Sequence, residues 1–164
     1  MRAIVTGATG FVGTYLVGEL LSQGNDVTVI VRDRNKALAL CDAADADVEI
    51  IECSIAEMSH LTTDVFCKDR YDMWFHLAWD GTSGDKRADI PLQLQNIQCT
   101  CDAVELASSI GCTRFVNAGS IMEYEALKTT LDDGCVSGMG TIYSIGKLTA
   151  DLMAKTYAAK CGIE

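Results

Sequence analysis

The stretch that decides the fold is Ala3–Gly13, which reads A-I-V-T-G-A-T-G-F-V-G. It opens with three apolar residues, the pattern of a short strand buried on both faces, and continues into three glycines. From Val12 onward the apolar residues recur at helical spacing, at Val12, Leu16, Val17, Leu20 and Leu21. Gly24 then supplies a C-terminal stop for that helix. The stretch predicts a strand, a glycine turn and a helix in immediate succession.

The glycines of this turn, Gly7, Gly10 and Gly13, have the spacing G-x-x-G-x-x-G. In such a unit the first glycine permits the tight turn, the second lets the backbone approach a pyrophosphate, and the third lets helix and strand pack closely. The unpaired N–H groups and the positive dipole end of the helix then face the phosphates. A glycine-rich turn without a ligand is the alternative, but the strand before it and the helix after it favour a dinucleotide site.

The segment T-G-A-T-G-F-V-G (Thr6–Gly13) resembles the short-chain dehydrogenase/reductase superfamily, in particular its extended branch of nucleotide-sugar enzymes, the NAD-dependent epimerase/dehydratase family. The resemblance implies an α/β fold, a three-layer, doubly wound Rossmann domain with a parallel sheet of strand order 3-2-1-4-5 and right-handed crossovers. It implies coenzyme contacts from six residues of the turn, Gly7, Thr9, Gly10, Phe11, Val12 and Gly13. The apolar runs predict the later strands at Val27–Val31, Val48–Ile51, Met73–Ala78 and Arg114–Ala118.

Length and composition exclude several classes of protein. With 164 residues, of which 49% are hydrophobic and 22% charged, the chain fits one ordinary globular domain. A net charge of −10 argues against nucleic acid or an anionic membrane surface as a partner. The sequence contains no apolar run of about 18 residues that could span a bilayer. Met1 leads at once into the first strand and leaves no room for a signal peptide, so we predict a cytoplasmic protein.

The chain contains eight cysteines but only two histidines, His60 and His76. The cysteines lack C-x-x-C spacing and have no histidines nearby, which argues against zinc and against any other metal site. Several fall inside apolar patterns, where a reduced cysteine packs as a small hydrophobe. We therefore expect reduced thiols and no disulfide framework.

The end of the second strand bears on the choice between NAD and NADP. In a Rossmann unit an acid here accepts a hydrogen bond from the free ribose 2′-hydroxyl, whereas an arginine accommodates a 2′-phosphate. Val31 occupies the position where NAD-preferring relatives usually carry the acid, and Arg32 follows it. We predict that NADP is preferred, because a guanidinium binds phosphate through charge-assisted hydrogen bonds. Asp33 keeps NAD as the alternative, with Arg32 then a solvated charge.

The resemblance implies further coenzyme contacts from Ser54, Ile55, Leu77, Ala78 and Asn96. Ser54 stands where many relatives have an aspartate that touches the adenine, and it brings no carboxylate. Asn96 matches the family pattern N-x-x-G-T, except that Cys99 replaces the glycine; a surface asparagine is the equal alternative.

The last three residues of the fourth predicted strand, His76-Leu77-Ala78, form an H-L-A element similar to that of the family. A histidine here suggests catalysis, but we favour a hydrogen-bonded structural histidine, because the family uses another acid–base group. The segment Trp79–Asp89 is predicted to be a loop over the coenzyme.

Three residues carry the predicted chemistry: Ser120 just past the fifth strand, then Tyr143 and Lys147 one turn apart on a helix. An ammonium one turn from a phenol favours the phenolate, which can exchange a proton with a carbonyl or hydroxyl oxygen. A surface Tyr-Lys pair is the alternative, but order and spacing resemble the Ser/Tyr/Lys triad of the family. The resemblance makes Ser120 the hydrogen-bond partner of the substrate oxygen, Tyr143 the acid/base, and Lys147 the ribose anchor.

The resemblance covers the whole chain, which is about half of a family member. We therefore interpret residues 1–164 as an NAD(P)-binding domain whose C-terminal substrate lobe is absent, with Lys160–Glu164 forming the turn into a sixth strand. Relatives pair through the helices equivalent to Pro91–Ile110 and Thr141–Cys161, which implies a homodimer.

Three functions stay open on these residues. The first is an NAD(P)-dependent epimerase, dehydratase or reductase of a nucleotide-linked sugar. The second is an NADPH-dependent ketone or aldehyde reductase of the dihydroflavonol-reductase type, whose strand end resembles Val31-Arg32. The third is a non-catalytic NAD(P)-binding regulatory module, against which Tyr143 and Lys147 argue.

Overall fold

A parallel sheet lies at the centre of the computed structural model, which describes residues 1–44, 48–66, 70–131, 138 and 140–164. Within those ranges the strands are β1 (Arg2–Thr6), β2 (Asp26–Val31), β3 (Glu49–Glu52), β4 (Met73–His76) and β5 (Arg114–Asn117). Their order is β3-β2-β1-β4-β5, and each neighbouring pair is parallel. The predicted fold and strand order are confirmed.

Helices cover both faces of the sheet, as a doubly wound fold requires. They are α1 (Phe11–Ser22), α2 (Arg34–Ala44), α3 (Ile90–Ser109), α4 (Glu123–Leu131) and α5 (Gly140–Lys160). Short 3-10 helices at Ile55–His60, Thr63–Val65 and Gly84–Ala88 complete the connections. Among the helices described, none is both long and apolar enough to cross a bilayer.

The core divides into two hydrophobic clusters because alternate residues of a strand point to opposite faces. On one face, Ile4 and Trp74 pack with residues of α3 and α5 such as Val104 and Ala154. On the other face, Val5 belongs to the cluster that includes residues of α1 and α2. Both faces of the central strand are thus buried, which accounts for the unbroken apolar run that predicted it.

After α5 the chain returns to the outer edge of β5. The Phe115 N–H donates to the carbonyl of Glu164 at 2.8 Å, and the Glu164 N–H donates to the carbonyl of Thr113 at 3.0 Å. Gly162 makes the intervening turn at φ +73°. The turn predicted at Lys160–Glu164 thus brings Glu164 into hydrogen bonding with β5, and a sixth strand stays a prediction.

The cysteines whose side chains are described are free thiols: Cys53, Cys99, Cys101, Cys112 and Cys161. Burial raises the pKa of Cys99 to about 11 and that of Cys112 to about 12, so both thiols stay protonated inside the core. Cys67 and Cys135 lie outside the described residues, and the side chain of Cys41 is not described.

Candidate active site

The glycine turn between β1 and α1 has no room for a side chain at Gly7 or Gly13. Gly7 adopts φ +73°, a backbone conformation that other residues rarely adopt, and a Cβ there would lie 2.7 Å from the backbone nitrogen of Ala78. A Cβ on Gly13 would lie 2.1 Å from the carbonyl oxygen of Gly7. Gly10 is the N-cap of α1 and makes no side-chain capping bond, so the first N–H groups of the helix are left for a ligand. The cradle fits a dinucleotide pyrophosphate.

A cleft of about 510 Å³ opens above this turn at the carboxyl ends of β1, β2 and β4. Ten of the predicted coenzyme residues line it: Gly7, Thr9, Gly10, Phe11, Val12, Gly13, Arg32, Ile55, Leu77 and Ala78. The carboxyl ends of parallel strands are where open α/β sheets bind their ligands. The lining residues that the sequence analysis did not single out include Lys36, Cys53, Trp79, Asp80 and Thr82.

Two predicted coenzyme residues have other partners in the structure. Ser54 caps the 3-10 helix Ile55–His60, its hydroxyl accepting a hydrogen bond from the Ala56 N–H at 3.3 Å. Asn96 is 3% exposed, and its amide brackets the backbone of Asp80. The Asp80 N–H donates to Asn96 Oδ1 at 2.9 Å, and Asn96 Nδ2 donates to the Asp80 carbonyl at 2.8 Å. Neither side chain lines the cleft, and a coenzyme contact from either stays a prediction.

Trp79 connects the cleft to the predicted acid–base pair. Its indole lies edge-on to the Tyr143 ring, with 6.2 Å between ring centroids. The Nζ of Lys147 lies 4.1 Å from the centroid of the same indole, a cation–π contact. The indole packs against α5 at Gly146, where an added Cβ would lie 3.6 Å from it, an ordinary van der Waals distance. Trp79 follows the H-L-A element directly, and that position was the available signal for it.

The side chain of Lys147 is buried near the carboxyl end of β5, with 4% of the residue exposed. Its ammonium donates a short hydrogen bond to the carbonyl of Ala118. Burial lowers the pKa of Lys147 to about 8, and the nearby carboxylates of Glu123 and Asp151 oppose that shift. The ammonium therefore lies beside the segment that carries Ser120.

Ser120 begins the turn into α4 in an S-x-x-E capping box. Its N–H donates to Oε1 of Glu123 at 2.6 Å, and its hydroxyl oxygen accepts from the Met122 N–H at 3.2 Å. Since the oxygen is the acceptor in that bond, the hydroxyl proton remains available for a substrate oxygen. Glu123 thus fixes the backbone of Ser120, a role that the S-x-x-E spacing could have predicted.

The ring of Tyr143 also contacts a cation, the guanidinium of Arg87. The guanidinium carbon of Arg87 lies 4.6 Å from the ring centroid, and the buried Arg87 Nε has no hydrogen-bond partner among the residues that the structure describes. Arg87 comes from the 3-10 helix Gly84–Ala88, in the loop predicted to lie over the coenzyme. The predicted acid–base residue is thus packed between the Trp79 indole and the Arg87 guanidinium.

His76 is a buried, hydrogen-bonded histidine, as favoured from the sequence. It is 2% exposed, and its Nδ1 lies 2.9 Å from the Thr6 hydroxyl. Its Nε2 lies 3.5 Å from the hydroxyl of Thr100, which itself donates to the Asn96 carbonyl at 2.9 Å. Burial lowers the pKa of His76 to about 3, and the charge of Lys147 acts in the same direction. The imidazole is neutral and joins β1 to α3.

Acid should destabilise the fold through His76. An unfolded histidine, with a pKa of about 6.5, takes up a proton before the folded one does. The stability due to the neutral imidazole is therefore complete above about pH 6.5 and is lost progressively as the pH falls towards about 3. Urea unfolding across this window should give a flatter pH dependence for His76→Gln than for the wild type. The exposed His60→Gln should keep the wild-type slope, and an unchanged slope in His76→Gln would contradict the assignment.

Comparisons with known proteins agree with this fold. The model of the NAD dependent epimerase/dehydratase family matches residues 3–164. The chain therefore belongs to the NAD-dependent epimerase/dehydratase family. It is 25% identical over 173 residues to UDP-glucuronic acid decarboxylase 1 of Arabidopsis thaliana, covering 100% of this chain and 38% of that protein.

Solved structures share the fold at lower identity. A UDP-galactose 4-epimerase aligns with a TM-score of 0.74 at 21% identity, over 100% of this chain and 54% of that one. MoeE5 in complex with UDP-glucose and NAD aligns with a TM-score of 0.72 at 24% identity, over 100% and 51%. The chain thus spans about half of these structures and less of the plant decarboxylase.

Proposed function

We propose that residues 1–164 are the NAD(P)-binding domain of an enzyme that oxidises, epimerises, dehydrates or reduces a nucleotide-linked sugar. Membership of the NAD-dependent epimerase/dehydratase family supports the class of reaction. The similar proteins named for UDP-glucuronic acid and UDP-galactose, and the one bound to UDP-glucose, support the class of substrate. The substrate lobe is absent from this chain under the proposal.

The single observation that carries the proposal is the position of Trp79. This residue lines the coenzyme cleft and also contacts both Tyr143 and Lys147. A nicotinamide coenzyme in the cleft would therefore lie next to a phenol and an ammonium.

The chemistry divides between coenzyme and side chains. When bound, the coenzyme supplies hydride transfer at C4 of its nicotinamide ring. Tyr143 moves the accompanying proton at the substrate oxygen, and Ser120 donates a hydrogen bond to that oxygen. The ammonium of Lys147, buried beside Trp79, anchors the ribose.

We propose that NADP(H) is preferred over NAD(H), because Arg32 lines the cleft just past β2. Fluorescence titration should therefore give tighter binding of NADPH than of NADH. In Arg32→Gln most of that difference should be lost, about tenfold in NADPH affinity for a charge-assisted phosphate contact. Arg34→Gln is the matched control, because the Arg34 guanidinium donates instead to the Ile50 carbonyl at 3.0 Å. Tighter binding of NADH by the wild type would refute the preference, and binding of neither coenzyme would refute the proposed function.

We also propose a homodimer that acts in the cytoplasm. The support for pairing is a set of exposed apolar side chains on α3 and α5: Ile90, Leu94, Ile145, Leu152 and Met153. Exposed apolar surface of this kind favours contact with a second copy.

A further inference from the structure

We propose that Asp80 is a specificity-determining residue of the coenzyme cleft, which weakens the binding of NADP relative to NAD by competing for the Arg32 guanidinium. The inference rests on the proposed coenzyme function and deepens it, since no role has been given to Asp80 in either the fold or the chemistry.

The first step is the ion pair that crosses the cleft. Nη1 of Arg32 donates to Oδ1 of Asp80 at 2.8 Å, and both residues line the cleft. Arg32 follows β2 and Asp80 follows β4, while β1 with its glycine turn lies between those two strands. The guanidinium that would meet a 2′-phosphate is therefore already bound to a carboxylate.

The second step is the rigidity of Asp80. The buried amide of Asn96 bonds to both its backbone N–H and its backbone carbonyl, at 2.9 and 2.8 Å. Asp80 cannot swing away with its loop without breaking these contacts. The carboxylate is thus presented from a fixed backbone.

The third step is the exposure of the two partners. The side chain of Arg32 is 67% exposed and that of Asp80 is 32% exposed. The arginine is the more mobile member of such a pair, because its long side chain carries more rotamer freedom than that of aspartate. A phosphate that recruits Arg32 must take it from Asp80 and must also remain near a fixed negative charge. Both effects weaken the binding of the coenzyme that carries the extra phosphate more than that of the one without it.

The experiment compares Asp80→Asn with the wild type by fluorescence titration of NADPH and NADH. The variant keeps the size of the side chain, and the bonds to Asn96 involve the backbone of residue 80, so the fold is retained. NADPH affinity should rise about twofold to fivefold, the scale of a partly exposed charge pair, while NADH affinity stays unchanged. Asp80→Glu keeps the charge and should leave the wild-type preference unchanged.

Two further variants separate the ion pair from a general effect of charge. Asp85→Asn removes an equal charge from an exposed position in the same loop and should leave both affinities unchanged. In the Arg32→Gln background Asp80→Asn should give no gain in NADPH affinity, because the guanidinium that it releases is absent.

Each outcome decides the inference. A gain that needs Arg32 and is absent from Asp85→Asn supports it. No gain in Asp80→Asn, an equal gain in Asp85→Asn, or a gain that persists without Arg32 overturns the role of the ion pair, while coenzyme binding by the wild type still supports the proposed function. Failure of every variant and of the wild type to bind either coenzyme refutes the proposed function and this inference together.

Discussion

Gly13→Ala should unfold or severely destabilise the domain, at a cost of about 3 kcal/mol or more. The added Cβ would lie 2.1 Å from the Gly7 carbonyl oxygen and 2.7 Å from the Cα of Ala8. Both contacts are to backbone, so no side chain can rotate to relieve them. The turn itself must move, and the N–H groups at the start of α1 move with it.

The Gly13→Ala substitution should lower the affinity for coenzyme as well as the free energy of unfolding. We expect any folded Gly13→Ala protein to bind NADPH about a hundredfold more weakly, the loss of two charge-assisted hydrogen bonds. Gly18→Ala is the control, because a Cβ at Gly18 meets nothing within 4 Å and the residue lies in the same helix. It should stabilise the protein by up to about 1 kcal/mol through helix propensity. Urea unfolding and fluorescence titration measure both variants, and equal behaviour of the two would contradict the close packing at Gly13.

Tyr143→Phe should reduce turnover by about a hundredfold to ten-thousandfold, the range of a general acid–base group. The measurement needs a form of the protein that turns over a nucleotide-linked sugar. Coenzyme affinity should stay within about twofold, because the ring contacts with Trp79 and Arg87 remain when only the hydroxyl is removed. The loss should therefore appear in kcat and not in coenzyme binding.

The control for this substitution is Tyr157→Phe, on the same helix near its other end. The hydroxyl of Tyr157 bonds to Glu105 and is remote from the cleft lining, so its removal should leave turnover unchanged. Turnover by Tyr143→Phe at the wild-type rate would remove the proton-transfer role from Tyr143. An equal loss in both variants would point to a general weakening of α5.

The fold could be predicted from the sequence because its signals are local. The apolar run before Gly7 and the helical spacing after Gly13 need no distant partner to be recognised. The ends of the strands are encoded less locally than their centres. The fourth strand was predicted to run to Ala78 but pairs only to His76, because Ala78 already belongs to the turn against which Gly7 packs.

The partners of Trp79 and Asp80, in the loop predicted to lie over the coenzyme, are distant in sequence and could not be predicted. The carboxylate of Asp80 meets Arg32, 48 residues earlier, and its backbone meets Asn96, 16 residues later. No periodicity in the sequence encodes either pairing. Trp79 likewise gains its meaning from Lys147, which approaches it only after α5 has packed onto the sheet. Motif spacing indicates the candidate residues for the chemistry, while packing determines their neighbours.

The position of Trp79 makes its fluorescence a probe for the proposed binding of coenzyme. The chain has two tryptophans, and the other one, Trp74, is fully buried in the core. The indole of Trp79 borders the cleft and contacts the ammonium of Lys147. A change in the occupancy of the cleft or in the position of Lys147 should therefore change the emission of Trp79. Reduced nicotinamide absorbs where indole emits, so coenzyme arriving beside Trp79 would quench it by energy transfer. In a Trp74→Phe background all tryptophan emission comes from Trp79, which lies between the cleft and the predicted acid–base pair.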